Sequence, residues 1–467
     1  MRKIAFVVVL FALFTSCSET ERQEFEYSGG TVNMALENEM STNIPRNVLD
    51  YYSAKVLNQI TEGLVGFNTE TLKIEPRLAK SWTKSDDGLK YTFTLRNDVY
   101  FHPHELFSGL EDRKMTTEDV VKSFEMACTK KEDGTAPNSY SSIFKSLLKG
   151  ADEFYEGKAK NISGLTISGQ NVTMELVHED QNFLNKMTHV TVNIVSKKII
   201  EAGVESEDII GTGPFIYTDY KSGEQPSLIL TKNVDYYDVD EEGNALPYLD
   251  SLVFVFQSRK CKQLDMFEEG QLEIIVELPT SRITRMLEGR IEDFNSKPPV
   301  LVLSNNPLLI SHFYFFNMED ERFKNPLVRK AFNYAIDKET IGRDIIRGQY
   351  NDLGEYGIVP PISKVLRGYD FKGIKSVGYS YDPELAKKLL AEAGYPNGEG
   401  FGSVELRYNI SDTHSAVADE FAKQIFKVLG INVNIDGSSF EQLTADRANG
   451  NGDIFRSGWS ADYPSPE

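Results

Sequence analysis

The chain has 467 residues, with 50 Lys and Arg against 70 Asp and Glu, which gives a formal net charge of −20 at pH 7. This acidity excludes a protein whose main surface binds phosphates, because nucleic-acid binding normally requires a basic patch. Hydrophobic residues make up 40% of the chain and charged residues 26%, a composition typical of folded globular proteins. At roughly 150 residues per domain, the length predicts about three lobes.

The N-terminus has the pattern of a secretion signal. Two basic residues precede an apolar run over residues 4–14, and this run is too short to cross a bilayer, because a span needs about 20 residues. Small residues then precede Cys17, which resembles the lipobox of bacterial lipoproteins, in which the cysteine is acylated. We therefore predict a lipoprotein signal peptide over residues 1–17 and a tether over residues 18–29. The alternative is an ordinary cleaved signal with an incidental cysteine.

Strand and helix signals alternate along the rest of the chain. Apolar residues at 91, 93 and 95 alternate with polar ones, which predicts a half-buried strand. Thr116 and Asp119 stand at capping-box spacing, and an N-cap residue followed by proline occurs at 325–326 and at 382–383, so three helix starts are predicted. A strand at 404–408, a helix ending at 429 and a strand at 431–435 form a βαβ unit. The fold class is therefore α/β, or α+β.

Residues that carry chemistry are few and scattered. Cys128 and Cys261 have no informative spacing, so two separate thiols are expected and a disulfide is the alternative. Only His102 and His104 lie close together among the histidines, and they are expected in a solvated turn rather than in a metal site. No motif assembles a nucleophile with a base, so these residues give no reason to expect an enzyme, a cofactor or a metal, although the members of a catalytic triad can be scattered along a sequence.

Eight segments in chain order carry a family resemblance. They are residues 62–65 (EGLV), 74–82 (IEPRLAKSW), 86–96 (DDGLKYTFTLR), 116–121 (TTEDVV), 211–215 (GTGPF), 325–338 (NPLVRKAFNYAIDK), 381–398 (YDPELAKKLLAEAGYPNG) and 458–466 (GWSADYPSP). Together they closely resemble the dipeptide- and oligopeptide-binding proteins, family 5 of the solute-binding proteins of ABC importers. The resemblance runs from about residue 30 to the last residue.

The sequence departs from the family pattern in three places. Residues 103–114 form a longer loop than usual, and Ser465 replaces an acidic residue of the last motif. The family also continues for several dozen residues past this point, so the C-terminal part of the fold is expected to be missing.

The resemblance implies a periplasmic-binding-protein-like clamp of type II, with two lobes and an extra subdomain. Lobe I is expected to be discontinuous, over residues 30–60 and 189–308. The extra subdomain II is expected over residues 61–188, and a truncated lobe III over residues 309–467.

The last motif is the expected ligand site. In an extended run over residues 455–462, Arg456 and Asp462 share one face, because side chains alternate with period two. By match to the family motif, Asp462 holds the α-ammonium of a peptide and Arg456 meets the carboxylate of a short ligand. The backbone of Ser457, Gly458, Trp459 and Ser460 is expected to pair with the peptide as an added strand.

Each of these assignments has an alternative. Asp462 could instead be a simple turn residue, and Arg456 could instead pair with Asp453. Trp459, on the opposite face of the strand, could instead pack in the core. Further ligand contacts implied by the resemblance are Tyr140 and the loop residues Asn47, Val48 and Asp50.

The implied function is that of a monomeric lipoprotein at the cell envelope, facing the periplasm or the exterior. It captures short peptides and delivers them to the permease subunits of an ABC transporter, without binding nucleic acid. The alternatives are the same architecture with a nickel complex, haem, glutathione or a sugar as ligand, an extracytoplasmic peptidase, and an adhesin or signalling receptor.

Overall fold

The computed structural model describes residues 28–68, 70–204, 209–304, 308–354, 357–362, 370–374 and 378–461, together with residues 463 and 465. Cys17 and Asp462 lie outside these residues, so the roles assigned to them stay predictions.

The strands of the described part are short and distributed over the whole length. They are β1 (Thr31–Leu36), β2 (Val65–Phe67), β3 (Ile74–Pro76), β4 (Ala79–Lys84), β5 (Lys90–Leu95), β6 (Leu165–Ser168), β7 (Asn171–Glu175), β8 (Phe215–Lys221), β9 (Ser227–Lys232), β10 (Ser251–Phe256), β11 (Ile310–Phe316), β12 (Val404–Asn409), β13 (Val433–Ser438) and β14 (Ile454–Ser460).

The α-helices of the same part alternate with these strands. They are α1 (Tyr51–Ile60), α2 (Thr117–Ala127), α3 (Ala151–Tyr155), α4 (Phe183–Lys186), α5 (Lys197–Ala202), α6 (Lys260–Glu268), α7 (Ile283–Gly289), α8 (Ile291–Asn295), α9 (Glu321–Lys324), α10 (Pro326–Tyr334), α11 (Lys338–Thr340), α12 (Phe371–Ile374), α13 (Pro383–Glu392), α14 (Asp412–Leu429) and α15 (Phe440–Asn449). Short 3₁₀ turns span Pro45–Asn47, Glu111–Arg113, Val190–Val192 and Pro396–Gly398, and π-helical turns span Tyr140–Phe144 and Ile341–Ile345.

The strands build three four-stranded sheets and one hairpin, β2 with β3. Sheet I has the order β1-β10-β9-β8, sheet II the order β4-β5-β7-β6, and sheet III the order β11-β14-β12-β13. β1 and β10 are parallel in sheet I, whereas sheet II is antiparallel throughout. In sheet III, β12 is parallel to both β13 and β14, and β11 is antiparallel to β14. The division of the chain into lobes at the expected boundaries stays a prediction.

Each sheet buries its own apolar core. Leu57 and Ile60 of α1 pack on sheet I with Phe254, whereas Phe93 and Phe124 lie in the core of sheet II. The core of sheet III joins the apolar faces of α10, α13 and α14 to β12 and β14. Because each sheet has its own core, each can hold the side chains at its edge in fixed positions.

The elements predicted from local patterns are confirmed. In β5, the side chains at 91, 93 and 95 are buried. α2 begins with the reciprocal capping box of Thr116 and Asp119, and α10 and α13 begin at Pro326 and Pro383 after side-chain caps. The βαβ unit is β12, α14 and β13, although β13 begins two residues later than predicted.

His102 corrects the prediction of a solvated turn, because its side chain is fully buried. The imidazole Nε2 lies 3.0 Å from the carbonyl oxygen of Gly213, and the Gly211 N–H donates to Nδ1 at 3.3 Å. Burial lowers the pKa of His102 to about 4, so the ring is neutral near pH 7. The imidazole therefore fastens the segment after β5 to the GTGPF motif.

Cys128 and Cys261 are both free, which confirms the prediction of two separate thiols.

The GTGPF motif also packs against the end of α1. A Cβ atom on Gly211 would lie 2.1 Å from the carbonyl oxygen of Ile60, so only glycine fits there. Beside it, the buried carboxylate of Glu62 accepts hydrogen bonds from Tyr236 and Tyr237 at 2.9 Å and from Thr212 at 3.0 Å. Desolvation raises the pKa of Glu62 to about 7 despite these bonds. This joint holds sheet I against the elements that follow α1.

Across the ranges that the structure describes, none of the helices has both the length and the apolar content to cross a membrane.

Candidate functional site

The last strand of sheet III has an open backbone edge. β14 lies between β11 and β12, but β12 pairs with it only at Ile454 and Phe455. From Arg456 to Ser460, the described strands pair with β14 on the β11 side alone. An extended peptide can add to the other edge here, because its backbone supplies matching donors and acceptors.

Arg456 projects from this part of β14 and is bonded to two uncharged groups. Its Nη1 donates to Asn409 Oδ1 at 3.1 Å, and its Nη2 donates to His312 Nδ1 at 2.6 Å. Asp453, the alternative partner, instead pairs with Arg322 at 3.1 Å and accepts the Glu405 N–H at 2.9 Å. Desolvation is the main effect on Arg456 and lowers its pKa, although the group stays a cation. The site thus holds a half-buried positive charge next to an open strand edge.

Two histidines complete this side of the site. His312 lies on β11 directly opposite Gly458, and its ring centroid is 6.2 Å from that of His414. A Cβ atom on Gly458 would lie 3.1 Å from His312 Nδ1 and 3.4 Å from Arg456 Nη2, so the glycine leaves room for this pair. Desolvation lowers the pKa of both His312 and His414, and the charge of Arg456 adds to both shifts, although part of the His312 side chain faces solvent. Both rings are therefore neutral near pH 7.

The hydrogen bonds determine which nitrogen of each ring carries the proton. Arginine can only donate, so His312 Nδ1 is an acceptor and we assign the proton to Nε2. His414 Nδ1 faces the carbonyl oxygen of Asn409 at 3.2 Å, so we assign its proton to Nδ1. His312 thus offers an N–H donor beside Arg456, and His414 offers a lone pair on Nε2.

A second group of polar side chains lies near the carboxyl ends of the parallel strands β1 and β10. Glu37 directly follows β1, and its carboxylate accepts from Tyr52 at 3.4 Å and pairs with Lys260 at 3.1 Å. Lys260 also pairs with Glu277. Tyr52 and Glu37 oppose the lowering of the Arg456 pKa, which places them within electrostatic reach of the guanidinium. These groups at the end of sheet I therefore lie within electrostatic reach of Arg456 on sheet III, next to the carboxyl ends of parallel strands, where α/β sheets generally bind ligands.

The other residues of the last motif are distributed over both faces of β14. Trp459 is 58% exposed, so its ring is not packed in the core and that alternative is wrong. Gly458 and Ser460 are exposed as well, whereas Ser457 is buried. The backbone predicted to pair with ligand is thus accessible from Gly458 onward.

Tyr140 lies in the core of sheet II and not beside β14. Its side chain is buried, its hydroxyl donates to Asp152 at 2.9 Å, and its ring stacks on Tyr155 at 4.0 Å between centroids. Because these contacts account for both the ring and the hydroxyl, we leave Tyr140 out of the site.

The loop from Asn47 to Asp50 is largely engaged in local structure. Asp50 caps α1 by accepting the Ser53 N–H at 2.8 Å, and the Val48 carbonyl accepts from Asn138 at 2.7 Å. Asn47 Oδ1 is buried and has no hydrogen-bond partner among the described residues. Among the side chains of this loop, Asn47 is the one with a buried polar atom that no described residue bonds.

The sequence did not point to the two site histidines. His312 and Arg456 are 144 residues apart and meet only through the pairing of β11 with β14. His414 lies at the start of α14, where a histidine looks like a first-turn residue. In the described ranges, no group of three or more potential ligands is arranged to hold a metal ion.

Comparison with known families identifies the class of proteins to which this chain belongs. The family model described as the middle part of the bacterial extracellular solute-binding proteins, family 5, matches residues 73–467. The chain belongs to this family. Its members are binding proteins of transport systems, so the protein is a solute-binding protein and not an enzyme, as the resemblance implied.

Individual relatives agree with this assignment. The chain is 29% identical to heme-binding protein A of Haemophilus influenzae over 73% of its own length, but the match spans only 57% of that protein. It is 24% identical to the oligopeptide-binding protein OppA of Bacillus subtilis over 100% of its length and 83% of the relative. Among solved structures, a periplasmic oligopeptide-binding protein of Borrelia burgdorferi matches with a TM-score of 0.77 at 28% identity, over 93% of this chain and 81% of that one. The expected periplasmic-binding-protein-like fold of mixed α/β class is therefore confirmed.

Proposed function

We propose that the protein captures short peptides in the cleft between sheets I and III and delivers them to the permease of an ABC importer. The single observation that carries this proposal is the guanidinium of Arg456, which is bonded to uncharged partners beside an open strand edge. A partly desolvated cation of this kind is stabilised by an anionic ligand group, and the open edge suits a ligand with an extended backbone. A short peptide supplies both the anionic group, at its C-terminus, and the extended backbone. The B. subtilis relative, named an oligopeptide-binding protein, supports this choice.

In the proposed complex, the peptide carboxylate accepts hydrogen bonds from Arg456 and from His312 Nε2–H. The peptide backbone pairs with β14 between Ser457 and Ser460. Asp462, which lies outside the described residues, is proposed to hold the α-ammonium. The peptide is then fixed by its two ends and its backbone, so its side chains are read only by the remaining walls of the cleft.

Isothermal titration calorimetry with a library of di- to hexapeptides tests this proposal on the mature chain. At least one length class is expected to bind, and amidation of the C-terminus is expected to weaken that binding strongly, because it removes the charge that faces Arg456. Absence of binding by every peptide contradicts the proposal. Equal affinity for the acid and the amide contradicts the role of Arg456.

Haem is the second candidate ligand, since one relative is named a heme-binding protein. The adjacent rings of His312 and His414 beside Arg456 are the feature that favours it, because imidazole binds iron and a guanidinium binds carboxylates. An absorbance titration with haemin separates the two candidates. A change in the haem spectrum that is lost in His414→Ala favours haem, and an unchanged spectrum favours peptide.

We further propose that acylation of Cys17 anchors the protein to a membrane, facing the periplasm or the exterior, where it acts as a monomer. Metabolic labelling with an alkyne fatty acid tests the anchor. The wild-type chain is expected to carry the label, and Cys17→Ser is expected to lose it.

A further inference from the structure

A separate cavity of about 320 Å³ opens on sheet I beneath residues 39–43. Its floor is apolar and consists of the buried side chains of Ile209, Leu228 and Phe256. The rings of Tyr217 and Tyr220 form a wall. The volume is at the lower end of the range of about 300–1,000 Å³ for small-molecule sites, so the cavity has room for one long side chain and not for a whole peptide.

The rim of the cavity carries a negative charge. The Glu39 side chain is exposed there, and its carboxylate accepts a hydrogen bond from the hydroxyl of Tyr220. Tyr220 therefore positions the carboxylate at the mouth while its ring lines the wall. An apolar floor, aromatic walls and an acidic rim together suit a side chain with a long apolar stem and a cationic end.

The cavity adjoins the proposed peptide cleft. Only Asn38 separates Glu39 from Glu37, whose carboxylate lies within electrostatic reach of Arg456. Two residues span at most about 7 Å of extended chain, so the rim lies within side-chain reach of a peptide in the cleft. The segment is also held in place before any ligand arrives, because Ser53 Oγ accepts the N–H groups of Ser41 at 2.9 Å and Thr42 at 3.3 Å.

We propose that this cavity binds a lysine or arginine side chain of the bound peptide, with Glu39 as the residue that selects the positive charge. The inference rests on the proposed peptide-binding function and adds a substrate preference to it. The net charge of −20 favours the approach of such basic peptides.

Calorimetry with alanine-based peptides tests the preference. At one position at a time, the peptide carries lysine, norleucine or alanine. Norleucine has a stem similar to that of lysine but lacks the charge. At one position, the wild-type protein is expected to bind the lysine peptide about tenfold more tightly than the norleucine peptide, and the norleucine peptide more tightly than the alanine peptide.

Variants of the rim separate charge from shape. Glu39→Gln keeps the acceptor for Tyr220 but removes the charge, so it is expected to lose the preference for lysine over norleucine and to retain that for norleucine over alanine. Tyr220→Ala is expected to lose both preferences, whereas Tyr220→Phe keeps the wall and the preference for norleucine. Tyr381→Ala, a change at an exposed tyrosine elsewhere, is the matched control and is expected to leave all affinities unchanged.

The outcomes distinguish this inference from the function on which it rests. Peptide binding with no advantage for lysine at any position, or an advantage that survives in Glu39→Gln, overturns the assignment of the cavity but leaves peptide capture intact. A stronger preference for phenylalanine than for lysine also overturns it. Failure of every peptide to bind overturns both.

Discussion

Replacement of Arg456 by methionine separates the effect of this residue on the stability of the free protein from its effect on peptide affinity. The guanidinium is half-buried, and among the described residues its hydrogen-bond partners are Asn409 and His312. Its removal relieves an unfavourable desolvation, but it also leaves Asn409 Oδ1 and His312 Nδ1 without a donor, at a cost of about 1–3 kcal/mol each. Because these effects oppose each other, we expect the free energy of unfolding of the free protein to stay within about 2 kcal/mol of the wild-type value.

The effect on peptide affinity is expected to be much larger. A hydrogen bond to a charged group contributes about 1.5–3 kcal/mol, so two bonds from Arg456 to a ligand carboxylate contribute about 3 kcal/mol or more. At about 1.4 kcal/mol for each tenfold change, Arg456→Met should bind an acid-terminated peptide at least about 100-fold more weakly. The same variant should bind the amidated peptide nearly as well as the wild type does.

Calorimetry and urea unfolding on the same preparations measure the two quantities. Arg343→Met is the matched control, because the exposed Arg343 guanidinium pairs with Asp344 and does not contribute to the pKa shift of Arg456. That variant should bind normally. If Arg456→Met keeps the wild-type affinity to within threefold, the carboxylate does not bind at Arg456 and the reasoning is wrong.

Three further predictions test other parts of the structure. His312→Leu should weaken binding of acid-terminated peptides about tenfold or more, whereas His312→Asn, which keeps an acceptor near the Nδ1 position, should restore part of the affinity; equal calorimetric affinities for both variants would refute the positioning of the guanidinium. Burial raises the pKa of Glu62 from 4.5 to about 7, so the folded state retains a proton that the unfolded chain releases, and the free energy of unfolding should fall by up to about 3 kcal/mol as the pH rises from 4.5 to 7. In Glu62→Gln this pH dependence should disappear from urea unfolding curves, and a difference between the two proteins that does not change with pH would contradict the assignment. Gly211→Ala should destabilise the protein by about 3 kcal/mol or more, because its Cβ meets backbone that cannot move aside, while Gly289→Ala, with open space at its Cβ, should leave the melting temperature unchanged or raise it slightly.

Local patterns predicted those elements whose signals lie within a few residues. The capping box of α2 and the proline starts of α10 and α13 are of this kind, because the side chain and the backbone it caps are neighbours in sequence. The fold class followed for the same reason. The placement of Arg456 in an extended strand was also predictable, because the motif lies within β14, whereas its role in binding stays a prediction.

The rest of the site depends on contacts between distant segments. His312 reaches Arg456 through a strand pair that closes a loop of 144 residues, and no local pattern encodes that register. His102 looked like a solvated residue because its partners, Gly211 and Gly213, lie more than 100 residues away. Tyr140 was predicted by likeness alone, and the packing of its ring in another sheet was invisible to that comparison.

The position of β14 within sheet III has a consequence for the order in which the protein is made. Of the described strands it is the last to be synthesised, yet it is inserted between β11 and β12. On the ribosome, β11 must therefore wait as an unpaired strand while more than 130 residues emerge, and such an edge invites association with other chains.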